Sequence, residues 1–178
     1  MALKRRLLDG SYWVYDRMRH KTAFESAARP GTAQDFAGLH GQKYALLVTF
    51  RKDETPVPTP VWFALLDDDR LVTHTEERTA KVRRIRRDPR ARVFPCDPRG
   101  KPLGPGVEAT ARILTSDEKR ALAEAALDRH YGRVRRIHNK LLIDEGGMVY
   151  LEVTPISHQP DRPRRDVVSG TVASACFQ

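Results

Sequence analysis

The chain has 178 residues, 40% of them hydrophobic, which suits one domain with extensions and makes two full domains a poor fit. A net charge of +9 favours an anionic partner, whether nucleic acid, membrane surface or phosphorylated small molecule, without separating the three. Cys96 and Cys176 are the only cysteines and no CxxC or Cys/His cluster accompanies them, which argues against a metal site or a disulfide framework and for free thiols in a reducing compartment.

The opening Met1-Ala-Leu-Lys-Arg-Arg-Leu-Leu8 is broken by Asp9, Gly10 and Ser11 before any long apolar run, so no secretory signal is expected. No stretch reaches transmembrane length, and a cytoplasmic protein without membrane contact is expected. Residues 1–35 mix Tyr12, Trp13, Tyr15 and Phe24 with Arg17, Arg19, His20 and Lys21, then loosen at Arg29-Pro30-Gly31. This reads as an arm whose aromatics dock on the body or on a partner subunit. Asp35 or a neighbour is placed to cap a short helix through Phe36 and Leu39.

Lys43–Arg51 is a predicted buried strand, Lys52-Asp53-Glu54 a turn, and Thr55–Leu66 the return strand of a hairpin. Pro56, Pro58 and Pro60 lie two apart, so all three missing N–H groups fall on one side of that strand. It is therefore an edge, or its silent side faces something other than sheet. Asp67-Asp68-Asp69 makes the next turn and Arg70–Thr75 the next strand.

A basic helix is predicted from Thr75, with Glu76 and Glu77 in its first turn and Pro89 ending it after about three turns. Thr79 and Lys81 then sit near the helix start, where a hydroxyl, an ammonium and backbone N–H groups can converge on one anion. Two other readings of the same stretch stay open. Arg78–Arg92 carries eight Arg or Lys against one acid, Asp88, which suits a solvated basic face as well as a nucleic-acid footprint.

Arg90–Asp97, Gly106–Leu114 and Gly147–Thr154 complete a set of six predicted strands. Between the last two, a Thr115-x-x-Glu118 capping box opens a helix with Leu122, Leu127, Tyr131, Val134, Ile137 and Leu141 at helical spacing. His130 and His138 on that helix read as surface residues. Few helices and six strands imply a closed or nearly closed antiparallel sheet. The tail beyond Pro155, with Pro160, Arg162, Pro163, Arg164 and Arg165, lacks a core pattern and is expected on the surface.

The ordered blocks Lys43-Tyr-Ala-Leu-Leu-Val-Thr-Phe50, Thr55-Pro-Val-Pro-Thr-Pro-Val-Trp-Phe63, Arg78-Thr-Ala-Lys-Val-Arg-Arg-Ile-Arg-Arg-Asp-Pro-Arg90 and Val93-Phe-Pro-Cys-Asp97 resemble a known family. They are similar to the F420-dependent branch of the pyridoxamine 5′-phosphate oxidase-like, flavin-reductase-type proteins, over about residues 36–155. The resemblance implies a mainly β fold, a six-stranded antiparallel split β-barrel with peripheral α-helices. The implied division is an arm over 1–35, the barrel over 36–156 and a tail over 157–178.

It also implies a homodimer that binds coenzyme F420, or alternatively FMN, at the subunit interface, acts on a small molecule and has no role for nucleic acid. Thr79-Ala80-Lys81 matches the family's Ser/Thr-x-Lys phosphate element, with His74, Thr75 and Arg78 beside it. Thr59, Pro60, Val61 and Trp62 are the implied ring contacts, and Arg99 and Lys101 the implied partners, from the second subunit, of an acidic cofactor tail. The implied activity is hydride transfer between the deazaflavin and an electron-poor double bond, with binding and orientation as the protein's part and no catalytic side chain identified. A pyridoxamine 5′-phosphate oxidase proper is disfavoured, because the tail offers Ser157-His158 and Arg162 in place of an Arg-x-His motif. A non-enzymatic binding module is the remaining alternative.

Overall fold

The computed structural model describes residues 21–66, 70–132 and 147–156. Their elements are α1 (Lys21–Ala27), a 3-10 turn (Ala37–Leu39), β1 (Tyr44–Phe50), β2 (Pro56–Val61), β3 (Ala64–Leu65), β4 (Leu71–Glu76), α2 (Ala80–Arg87), β5 (Arg90–Cys96), β6 (Val107–Ile113), α3 (Asp117–Tyr131) and β7 (Met148–Pro155). All strands pair antiparallel in one sheet of order β2-β1-β5-β6-β7-β4-β3. The two ends of that order, β2 and β3, are halves of one bent strand, so the sheet curls back on itself and the expected split barrel is observed. The expected Thr55–Leu66 strand breaks at Trp62 and Phe63, where the chain leaves β1 and joins β4.

Alternation along the strands sorts the apolar residues between the two faces of the curled sheet. Ala45 and Leu47 of β1, Val61 of β2, Leu71 of β4, Ala91 and Val93 of β5, and Leu151 and Val153 of β7 fill the interior. Leu46, Val48, Phe94 and Cys96 face outward and are covered by Ala23 and Ala27 of α1. Val72, Ala64 and Leu114 face outward elsewhere and are covered by Ala123, Ala126 and Leu127 of α3. Burying each large side chain of these sets contributes about 1.5–3 kcal/mol. One acidic side chain is buried on the outward face: Glu152 of β7, 2% exposed, accepts from Arg70 at 3.2 Å and from Arg112 of β6 at 2.6 Å. Paired in this way, a buried carboxylate is tolerated.

Helix starts differ from the sequence expectation. Thr75 does not begin the basic helix, because β4 runs on through Glu76, whose register partner is Met148 of β7. Thr79 is the N-cap, and α2 is an eight-residue helix, shorter than expected. Likewise Ser116 and not Thr115 caps α3, so the expected capping box does not form. Leu122 is 55% exposed and off the buried stripe, which is made of Ala123, Ala126 and Leu127. Asp35 behaves as read, accepting from the Ala37 N–H at 2.9 Å before the 3-10 turn. The Asp67–Asp69 turn, Val134, Ile137, His138, Leu141, the aromatics before Lys21 and the tail from 157 lie outside the described residues.

Candidate functional site

The prolines of β2 determine how the barrel splits. The Arg51 N–H donates to the Thr55 carbonyl at 3.0 Å, and continuing that register turns the backbone groups of Val57, Thr59 and Val61 toward β1. Pro56, Pro58 and Pro60 therefore turn theirs to the opposite edge, which carries carbonyls and no N–H. β2 stands at the end of the sheet, as a proline edge requires.

Across from it, β3 pairs with β4 only at Ala64↔Val72 and Leu65↔Leu71. Beyond Val72 no pairing joins the two ends of the sheet, so the prolyl edge of β2 and residues 73–76 of β4 bound an unpaired opening, the wedge of the split. Its apex is pinned by the buried Thr73, whose hydroxyl donates to the Trp62 carbonyl at 2.6 Å. Its foot is the handover from β4 to α2. There the Thr75 and Thr79 hydroxyls are 3.5 Å apart, and Thr79 Oγ donates to the Glu76 carbonyl at 2.9 Å. Thr79 has extended backbone, and the first helical bond of α2 runs from the Arg83 N–H to the Thr79 carbonyl. The first turn of α2, Ala80 to Val82, therefore presents its N–H groups along the helix axis, an arrangement suited to an anion.

The remaining residues singled out in the sequence fall around this wedge unequally. Thr59 and Val61 share the interior face of β2, with Val61 in the barrel core. Pro60 faces outward and is approached by the Asp97–Lys101 turn: a Cβ on Gly100, whose φ is +78°, would stand 2.9 Å from Pro60 Cγ. Arg99 and Lys101 are exposed on that turn, which Asp97 organises by accepting from both of their N–H groups at 2.8 Å. The turn thus abuts the prolyl strand of its own chain. Trp62 is half-buried, with its ring stacked on Tyr131 of α3 at 4.8 Å. His74 faces Tyr150 at 6.3 Å between centroids, Arg78 is exposed, and Lys81 is half-buried in the first turn of α2.

Much of the basic stretch beyond Lys81 is committed elsewhere. Val82 and Ile85 bury one side of α2, Arg84 donates to Thr49 Oγ at 2.7 Å and Arg87 to the Phe50 carbonyl at 2.6 Å. Arg86 pairs with Glu77, Arg90 with Asp88 and Glu54, and Arg92 with Glu108. These guanidinium groups fasten α2 and β5 to the barrel, a use that composition did not reveal.

Two residues of the site were not identified as such from sequence. Thr73 is an ordinary strand threonine until the fold places Trp62 beside it. Tyr131 fits an apolar stripe, and only its position in the last turn before Gly132 marks it out. Among the described residues no group of three or more His, Cys, Asp or Glu side chains is placed to hold a metal ion, and no helix is long and apolar enough to cross a membrane.

Several solved structures share this fold. A conserved hypothetical protein from Mycobacterium tuberculosis matches with a TM-score of 0.52 and 17% identity, over 72% of this chain and 86% of that one. The heme storage protein HutZ from Vibrio cholerae matches with a TM-score of 0.51 and 13% identity, over 65% and 83%. A protein of unknown function from Agrobacterium tumefaciens matches with a TM-score of 0.51 and 18% identity, over 66% and 50%. No curated protein matches the chain. The family model described as pyridoxamine 5′-phosphate oxidase matches residues 32–173, spanning both lips of the split and the helix at its foot. The chain belongs to the pyridoxamine 5′-phosphate oxidase family.

Proposed function

We propose that the split between β2 and β4 binds a phosphorylated flavin-type cofactor, coenzyme F420 in the first instance. In this reading the protein is an oxidoreductase moving a hydride between the deazaflavin and an electron-poor double bond of a small molecule. The observation that carries the reading is the Thr75–Thr79 hydroxyl pair at the start of α2, at the foot of a wedge whose other lip has no N–H groups. Thr75, Arg78, Thr79 and Lys81 would hold the phosphate, combining hydroxyl, backbone and cationic donors. The ring would lie along Thr59, Pro60, Trp62 and His74, over the segment whose Val61 is buried in the barrel core and paired with Ala45 of β1.

When bound, the deazaflavin supplies the hydride chemistry, and the chain's own residues bind, orient and shield. Arg99 and Lys101 offer positive charge to an acidic cofactor tail, and a homodimer would bring a second copy of that turn to the interface. FMN is the second reading. It is favoured by the internal pairing of Arg84, Arg86, Arg87, Arg90 and Arg92, which removes part of the cationic surface that a polyglutamate tail would use.

Titration of the purified protein with F420, FMN and duplex DNA at two salt concentrations separates these readings. Micromolar F420 binding with weak FMN binding supports the first, and the reverse order supports the second. Salt-steep DNA binding without cofactor uptake overturns both. Lys81→Ala is expected to weaken the bound cofactor about tenfold to a hundredfold, the loss of one charge-assisted contact. Unchanged affinity would remove Lys81 from the site.

A further inference from the structure

The corner at Trp62–Phe63 is held by a residue from another part of the chain. Extending the β1–β2 register past Ala45↔Val61 sets Lys43 opposite Phe63, where the next rung would join the Phe63 N–H to the Lys43 carbonyl. That rung is occupied by a side chain. The Tyr131 hydroxyl accepts from the Phe63 N–H at 2.8 Å and donates to the Lys43 carbonyl at 2.6 Å.

The same phenol ring stacks on Trp62, with centroids 4.8 Å apart and planes 14° from parallel. Its neighbour His130 meets it edge-on at 4.7 Å and places Nε2 3.1 Å from the Gln42 carbonyl. From the opposite side, Thr73 grips the Trp62 carbonyl. Main chain and ring of Trp62 are thus fixed by separate partners, at the apex of the split.

We infer that the last turn of α3 is a clamp on the corner of the split barrel, with Tyr131 as the positioning residue that holds the Trp62 ring against the cofactor cleft. The cofactor half of this inference rests on the reading of the split given above, whereas the hold on Trp62 is independent of it. A hydroxyl inserted as a rung keeps β1 and the bent strand one side-chain oxygen further apart than a direct bond would. Tyr131 therefore acts on the cleft through Trp62 and does not itself touch the reacting atoms.

The test uses a Trp13→Phe background, in which Trp62 is the sole tryptophan. Tyr131→Leu removes stack and rung together. Well below Tm it is expected to red-shift Trp62 emission, raise iodide quenching about twofold or more, and weaken the cofactor that the parent binds about tenfold, the worth of one positioned contact. Tyr131→Phe keeps the stack and loses the rung, so quenching near the parent value with affinity lowered severalfold is expected. This variant decides the question if Tyr131→Leu does not fold.

Ile85→Ala, a buried site on α2, serves as the stability control. It should lower Tm without altering Trp62 quenching. Equal quenching changes in Ile85→Ala and Tyr131→Leu would mean general loosening and overturn the clamp. So would quenching unmoved in Tyr131→Leu, or affinity unmoved in both Tyr131 variants. A parent protein that binds neither F420 nor FMN would overturn the cofactor reading, and the quenching comparison would still decide the clamp.

Discussion

Cys96 illustrates how position sets the chemistry of one side chain. It lies on the outward face of β5 among Leu46, Val48 and Phe94, under α1, and is 2% exposed. Burial first, and the adjacent Asp97 second, push its thiol up to about 12, so the thiolate is scarce at neutral pH. In a Cys176→Ser variant, we expect alkylation at pH 8 to run at least about a hundredfold slower than for a model thiol, followed by mass spectrometry. Fast labelling would mean that α1 lifts from the sheet. The placement of Thr79 and Lys81 near a helix start could be read from spacing alone, because that relation is local. The roles of Thr73 and Tyr131 could not, since their partners are 11 and 68 residues away along the chain. A hydroxyl gives no sign in sequence of which distant carbonyl it will meet.

Among the elements, α2 shows where local reading succeeds and where it stops. Val82 and Ile85 are enough to foresee a narrow buried stripe, and Pro89 ends the helix as expected. The start was misplaced because β7 holds Thr75 and Glu76 in the sheet, opposite Val149 and Met148, a pairing no nearby residue announces. The eight cations of Arg78–Arg92 looked available for a partner, yet the fold turns several of them onto β1, Glu77 and Glu108.

Asp88 secures the far end of α2 by accepting from the Arg90 N–H at 3.1 Å and from its guanidinium, which holds the carboxyl below its usual 3.8. A depressed carboxyl contributes stability that is present above the unfolded value and lost as the pH falls through the folded one. Asp88→Asn should therefore lower the denaturant midpoint at pH 7 and narrow its difference from the parent on acidification below 3.8. An undiminished difference at low pH would assign the effect to capping geometry instead of charge.

At the scale of the whole molecule, a closed or nearly closed antiparallel sheet was legible from strand lengths and turn residues, and the split barrel only through the family resemblance. The division of one predicted strand into β2 and β3 was not legible, because the bend depends on a phenol from α3 and a threonine from β4. The sheet order carries one more consequence, concerning when the fold can form. β7 is the last strand in sequence yet lies between β6 and β4. Until it arrives, β2-β1-β5-β6 and β4-β3 are separate ribbons joined by the Trp62–Phe63 bend and by α2 between β4 and β5. Its contacts with β4 span the longest stretch of chain in the sheet, the costliest to close and the slowest to find. A chain stopped after Gly147 should therefore give no cooperative melting transition by circular dichroism and should be digested rapidly at low protease concentration. Cooperative melting of that fragment would show that the two ribbons can fold apart. On a ribosome, the wedge would take its final shape only after residue 155 had left the exit tunnel, so any cofactor would meet a finished cleft and not help to build one.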